Sequence, residues 1–264
     1  MSTPLVWVDA FTDVPFRGNP AAVCVLDAPA DPQWMQSVAF EMKLSETAFV
    51  VARADGDFDL RWFTPTREME LCGHATVASA HVLFESSPAL DRVAFHTLSG
   101  VLTCTRAGDR IEVDFPAASP RAIAAPAGLL DALGVVSAVA VSESANRWHV
   151  VEVATEAEVS ALTPDFERLA GIGAGAAIVT ARADRAGADI VSRVFVPGSG
   201  IDEDPVTGSA HCTLVPYWCA QFGTAELVAY QASERGGTLH CRIEGDRVFL
   251  AGSAVTVLRA DLEV

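Results

Sequence analysis

One lysine, Lys43, serves the whole chain of 264 residues, and that scarcity removes two enzyme classes. A Schiff-base or pyridoxal enzyme would have to use Lys43, which stands beside Glu41 in an amphipathic segment. A Walker-type phosphate loop needs a Gly-Lys pair, and the chain has none. Lysine and arginine together number 18 against 34 acidic residues, a formal charge of −16. Nucleic acid and anionic membrane surfaces both require clustered basic groups, so neither is an expected partner, and small molecules are. No two of the six cysteines form a Cys-x-x-Cys pair, and no basic region followed by an apolar run opens the sequence. This usage describes a reduced, cytoplasmic protein without a disulfide framework. Long hydrophobic runs are missing too: the best candidate, 169–181, is Gly-rich and falls short of the roughly 20 residues a spanning helix needs.

Half of the residues are hydrophobic and a fifth are charged, which predicts a packed globular core. Segments 5–11, 21–26, 48–51 and 59–63 read as strands, followed by strands at about 92–106 and 110–115. Between the first two, Phe16-Arg17-Gly18-Asn19-Pro20 reads as a turn whose Asn19 is a candidate ligand contact. Asp31-Pro32 predicts an N-cap and first turn for a helix over 32–43. Residues 74–85 are apolar around nearly the full helical circumference. Such a helix must be enclosed, and a curved sheet wrapped around it is the simplest enclosure.

The second half repeats the plan. Phe63-Thr64-Pro65 precedes Gly73-His74 as Phe195-Val196-Pro197 precedes Gly208-Ser209, and Gly108-Asp109-Arg110 matches Gly245-Asp246-Arg247 at nearly the same offset. Two copies imply two pseudo-symmetric lobes of α+β class, each a curved, largely antiparallel sheet around a central helix. The lobes are expected at 1–118 and 119–264, with a last strand, about 254–264, returning to the first. Pro216 inside the second central helix predicts a kink or a late start. Gly171-Ile172-Gly173-Ala174-Gly175-Ala176 fits a loose dinucleotide pattern, but it follows a helical segment and precedes a strand-like one. The fingerprint needs the reverse order.

Each central helix begins at a glycine, Gly73 or Gly208, so unpaired N–H groups at the positive helix end would suit a carboxylate. The opposed helix starts are read as facing one another across a cleft, and capped, buried helix ends are the plain alternative. His74 at such an end is favoured neutral, as a proton acceptor or hydrogen-bonding group. Glu46 before a strand is either a surface charge or a catalytic carboxylate. Asp204 either satisfies a turn or serves the site, and Ser209 is either an N-cap or a ligand. Cys72 is either an inert buried thiol or a nucleophile. His74 and His81 have no third ligand in register, so no metal is expected.

Asp9-Ala10-Phe11-Thr12 with Phe16-Arg17-Gly18-Asn19-Pro20, Leu44-Ser45-Glu46-Thr47-Ala48-Phe49, Cys72-Gly73-His74-Ala75-Thr76, and Gly200-Ile201-Asp202-Glu203-Asp204-Pro205-Val206-Thr207-Gly208-Ser209-Ala210 together resemble the PhzF-like isomerase family of phenazine biosynthesis. The chain departs from that family's pattern at 231–237. The resemblance implies the diaminopimelate-epimerase fold with the active site between the lobes. It implies Glu46 as general acid and base of a cofactor-free proton shift, with His74, Asp204 and Ser209 binding or assisting at a small carboxylate-bearing substrate. Asn19, Gly73 and Gly208 are then substrate contacts, and a homodimer is expected. The family's named reaction isomerises dihydro-hydroxyanthranilate. Related epimerases place a cysteine in each motif; here 205–208 has none, which disfavours a two-base racemase using Cys72. A non-catalytic metabolite-binding protein is the remaining alternative.

Overall fold

In the computed structural model, which describes residues 2–173 and 175–263, the chain divides into two units, Met1–Phe115 with Phe249–Val264, and Pro116–Val248. The first contains β1 (Ser2–Ala10), β2 (Asn19–Leu26), α1 (Pro32–Met42), β3 (Glu46–Ala52), β4 (Phe58–Phe63), β5 (Glu68–Met69), α2 (Gly73–Ser86), β6 (Arg92–Thr97), β7 (Gly100–Ala107) and β8 (Arg110–Pro116). The second contains β9 (Arg121–Ala122), α3 (Leu129–Leu133), β10 (Ala140–Glu143), β11 (Trp148–Glu152), α4 (Glu156–Ser160), α5 (Phe166–Gly171) and β12 (Ala176–Arg182). It continues through β13 (Ile190–Val196), β14 (Ile201–Asp204), α6 (Gly208–Phe222), β15 (Glu226–Gln231) and β16 (Gly237–Glu244). After β17 (Arg247–Gly252), β18 (Ala254–Glu263) pairs antiparallel with β1 over its whole length, from Ser2↔Glu263 to Ala10↔Ala254.

The duplication is visible in the strand pairing. In the first unit β2 runs parallel to β3 after the α1 crossover, β3 and β4 form a hairpin, β4 pairs with short β5, and α2 carries the chain to β6, parallel to β4. In the second, β11 runs parallel to β12 after α4 and α5. A β12–β13 hairpin follows, β13 pairs with short β14, and α6 leads to β15, parallel to β13. The pairings β1–β2, β6–β7, β7–β8, β9–β10, β10–β11 and β15–β16 are antiparallel.

α2 packs against β1, β2, β3, β7 and β18, with Ala75, Val77, Ala78 and Ala80 all buried. Alanines let the sheet close on every side of it. α6 packs against β15 and β16, and its buried Trp218 donates an indole N–H to Thr180 on β12 at 3.1 Å. Separate apolar clusters fill the α1 side of the first unit, around Leu5, Met35 and Phe49, and the α3–α5 side of the second, around Leu133, Val179 and Phe195.

Three local expectations are corrected or refined, and a fourth holds. The strand expected over 92–106 is the hairpin β6–β7, turning at Leu98-Ser99, with Thr97 opposite Gly100 and Leu98 67% exposed. Asn19 and Pro20 belong to β2 and not to the turn before it. α6 does not start late: it begins at Gly208 and runs on through Pro216 to Phe222. Proline cannot donate to the carbonyl of Cys212, and the N–H of Ala118 takes that place at 3.0 Å. At the glycine-rich decoy, helix α5 does precede strand β12; Ala174 lies outside the described residues. Among the described residues no helix is long and apolar enough to cross a membrane.

Candidate active site

The expected site residues fall into two sets, one in each unit. In the first unit β2 and β3 are parallel neighbours, with Ala21 opposite Glu46, so Asn19 and Glu46 both stand at strand starts. α2 begins beside them, its N-cap position held by extended Cys72 and its first residues being Gly73 and His74. His74 is 3% exposed, and its two ring nitrogens face different partners. Nδ1 lies 3.1 Å from the Asn19 amide nitrogen and 3.6 Å from Cys72 Sγ. Nε2 lies 3.4 Å from a Glu46 carboxylate oxygen.

These contacts define a protonation state. Burial pushes the His74 pKa down to about 3, so the ring is neutral at ordinary pH. The Asn19 amide donates to Nδ1, which leaves the single ring proton on Nε2. At 3.4 Å the carboxylate is too distant for a full hydrogen bond, and among the described residues buried Nε2–H makes no other. An uncommitted donor thus stands beside a carboxylate whose side chain is 12% exposed. Asn19, 0% exposed, sits behind the histidine. Its amide sets the tautomer of His74.

α2 has neither an acidic residue in its first turn nor a capping side chain, and the same holds for α6. Thr76 and Ser79 turn their hydroxyls back onto the carbonyls of Cys72 and Ala75, at 2.5 and 2.7 Å. The first N–H groups of α2 therefore receive no cap from the Cys72 side chain and face no acid from their own turn.

Ligand atoms of Glu46, Cys72 and His74 all lie within 4.8 Å of one another, a closeness that sequence spacing did not suggest. The nearest contacts differ between the ring edges: the thiol lies 3.6 Å from Nδ1 and the carboxylate 3.4 Å from Nε2.

In the second unit Asp204 ends β14 and Gly208 begins α6, with half-buried Ser209 in the first turn. Thr207, at the N-cap position, donates its hydroxyl to the Asp204 carboxylate at 2.5 Å. Buried Gln231, from the end of β15, accepts the Thr207 N–H at 2.8 Å and donates to the Asp204 carbonyl at 2.6 Å. The Nδ1–H of His211 donates to the Thr207 carbonyl at 2.8 Å, and burial lowers this histidine's pKa to about 4. Sequence reading passed over Thr207, His211 and Gln231. The only signal was the unusual stretch 231–237, which marks a position without revealing its partner.

Both histidines lose affinity for protons on folding. Between their lowered pKa values and about 6.5 the unfolded chain binds more protons, so stability is full above about pH 6.5 and falls as pH drops. Each contributes up to about 1.4 kcal/mol per pH unit. Chemical denaturation from pH 7 to 4.5 is expected to show this decline, with a shallower slope in His211→Gln. An equal slope in that variant would remove His211 from the account.

A family model described as phenazine biosynthesis-like protein, PhzC-PhzF, matches residues 8–260. An uncharacterized isomerase of Halalkalibacterium halodurans is 48% identical over 266 residues, covering 99% of each chain. A PhzF family crystal structure from Enterococcus faecalis covers 100% of both chains at 40% identity and a TM-score of 0.95. A hydroxyproline epimerase of Agrobacterium vitis, with bound trans-4-hydroxy-L-proline, matches at a TM-score of 0.65 but 10% identity, over 99% of this chain and 92% of its own, a likeness of fold alone.

Proposed function

The chain belongs to the phenazine biosynthesis-like PhzC-PhzF family and is an isomerase of the diaminopimelate-epimerase fold, and from that premise we propose that it shifts a proton between carbons of a small carboxylate-bearing metabolite, without a cofactor, with Glu46 as the shuttle. The observation that carries this reading is the neutral, buried His74 with its Nε2–H beside the Glu46 carboxylate, 3.4 Å away. Glu46 takes a proton from carbon, and the electron pair left behind spreads into the substrate's conjugated system. His74 donates a hydrogen bond to the oxygen on which negative charge grows, a task for which a neutral donor needs no prior proton loss. Protonated Glu46 then returns the same proton at another carbon, so atoms and charge balance over the cycle. The uncapped N–H groups at the start of α2 suit the substrate carboxylate. Asp204 and Ser209 assist at the substrate, as the family resemblance implies.

The test is incubation with dihydro-hydroxyanthranilate and other small unsaturated acids in deuterated water, with NMR reading the exchange of carbon-bound hydrogen. Binding without exchange for every acid would instead favour a metabolite-binding protein. A second reading, a two-base epimerase, has one observation in its favour: the buried Cys72 thiol, 3.6 Å from His74 Nδ1. The position where related epimerases carry a second cysteine is within 205–208, which has none. Cys72→Ala is therefore expected to keep exchange within about threefold of the parent, since it removes neither the carboxylate nor the Nε2–H. A loss of about a hundredfold or more would establish the thiol as an acid or base.

A further inference from the structure

We propose that Gln231, acting through Thr207, is the positioning residue that fixes the direction of the Asp204 carboxylate; this rests on the reading above that Asp204 assists at the substrate. The amide of Gln231 can sit only one way round. Oε1 receives the backbone N–H of Thr207 at 2.8 Å, and Nε2 points at the Asp204 carbonyl at 2.6 Å. A flipped amide would oppose N–H to N–H and oxygen to oxygen. The other proton on Nε2 then reaches the Thr207 hydroxyl oxygen at 3.2 Å. Because that hydroxyl accepts from the amide, its own proton must leave in another direction, and the acceptor there is Asp204 Oδ2 at 2.5 Å. The orientation of one buried amide is thereby passed to a half-buried carboxylate.

A second observation separates this device from ordinary helix capping. Thr207 occupies the N-cap of α6, where a threonine hydroxyl normally accepts an N–H from the first turn. No such bond forms, because the hydroxyl is turned to Asp204. The residue forgoes a stabilising contact and orients an acid. The loop is braced independently by Ser233 Oγ on the Pro205 carbonyl at 2.7 Å, and by the Nδ1–H of His211 on the Thr207 carbonyl. Removing the Thr207 hydroxyl should therefore misdirect the carboxylate without loosening the loop.

The experiment compares the full chain with Thr207→Val, which keeps the shape and loses the hydroxyl, Thr207→Ser, which keeps the hydroxyl, and Gln231→Glu, which puts an oxygen against the Asp204 carbonyl. Carbon-13 NMR follows the titration of the Asp204 carboxyl, and deuterium exchange into dihydro-hydroxyanthranilate gives kcat and KM across pH. In Thr207→Val the Asp204 midpoint should move upward, since a hydrogen bond to the charged form is lost. Its kcat should fall roughly ten- to a hundredfold, with KM within about threefold and little change in melting temperature. Thr207→Ser should recover both readouts, and Gln231→Glu should resemble Thr207→Val. An Asp204 titration unmoved in Thr207→Val and Gln231→Glu overturns the proposal, as does a loss of exchange that tracks melting temperature and is not recovered by serine. If the parent exchanges no hydrogen with this acid, the proton-shift reading fails for that substrate while the carboxyl titration still decides the positioning.

Discussion

Glu46→Gln is expected to lower exchange of carbon-bound hydrogen roughly a thousandfold, while its melting temperature stays within about 3 °C of the parent. The substituted amide has nearly the same size and shape as the carboxylate, but it can neither take a proton from carbon nor return one. The arrangement around it should persist, because the tautomer of His74 is set from the opposite ring edge by Asn19. The Nε2–H would face an amide oxygen in place of a carboxylate, a change that leaves a neutral donor content. Loss of activity with retained folding would thus isolate proton transfer from architecture. Retention of more than about a tenth of the parent's exchange would remove Glu46 from the chemistry and reopen the case for Cys72.

The second large effect is expected at Gly18, between β1 and β2. Its φ is +62°, and a Cβ there would sit 2.1 Å from the Ala10 carbonyl oxygen and 2.7 Å from Thr12 Cγ2. The first clash is with backbone, so no side-chain rotation relieves it. Phe11 and Phe16, at φ 63° and 70°, already hold left-handed conformations in the same connection. Gly18→Ala should therefore destabilise by about 3 kcal/mol, roughly 10 °C in melting temperature. It should also reduce exchange activity, because the next residue, Asn19, orients His74. Gly56, at φ +91° with open space where its Cβ would lie, is the control. Its alanine variant meets only the left-handed penalty of about 1–2 kcal/mol. Equal thermal losses at the two positions would refute the steric argument.

The parts of this fold legible in the sequence are those written in local composition. α2 and α6 announce themselves because a helix apolar all round has to be wrapped, and their glycine starts recur at matching places in the two halves. Long-range pairing was not legible. Asn19 looks like a turn residue because Gly-Asn-Pro is a turn signal, yet its decisive partner is His74, a contact across 55 residues. Gln231 is marked only by the unusual stretch that it opens; the approach of β15 to the start of α6 is what gives its amide something to hold. The β6–β7 hairpin hid behind Leu98, an apolar residue in a turn that a strand pattern absorbs without protest. At Pro216 the helix rule was sound, and the Ala118 N–H supplied what it could not anticipate.

The pairing of β1 with β18 also has a consequence for biosynthesis. β1 leaves the ribosome before β2 to β17, and its partner along one edge, β18, only after them. At ordinary translation speeds the interval is on the order of tens of seconds. Throughout it β1 can pair with β2 but presents its other edge unpaired, the kind of edge that recruits foreign strands. The second unit, contiguous in sequence, has all its residues available before the first does. A nascent chain stalled before residue 254 would therefore hold a complete second unit and an open-edged first one, the species on which a ribosome-associated chaperone would act.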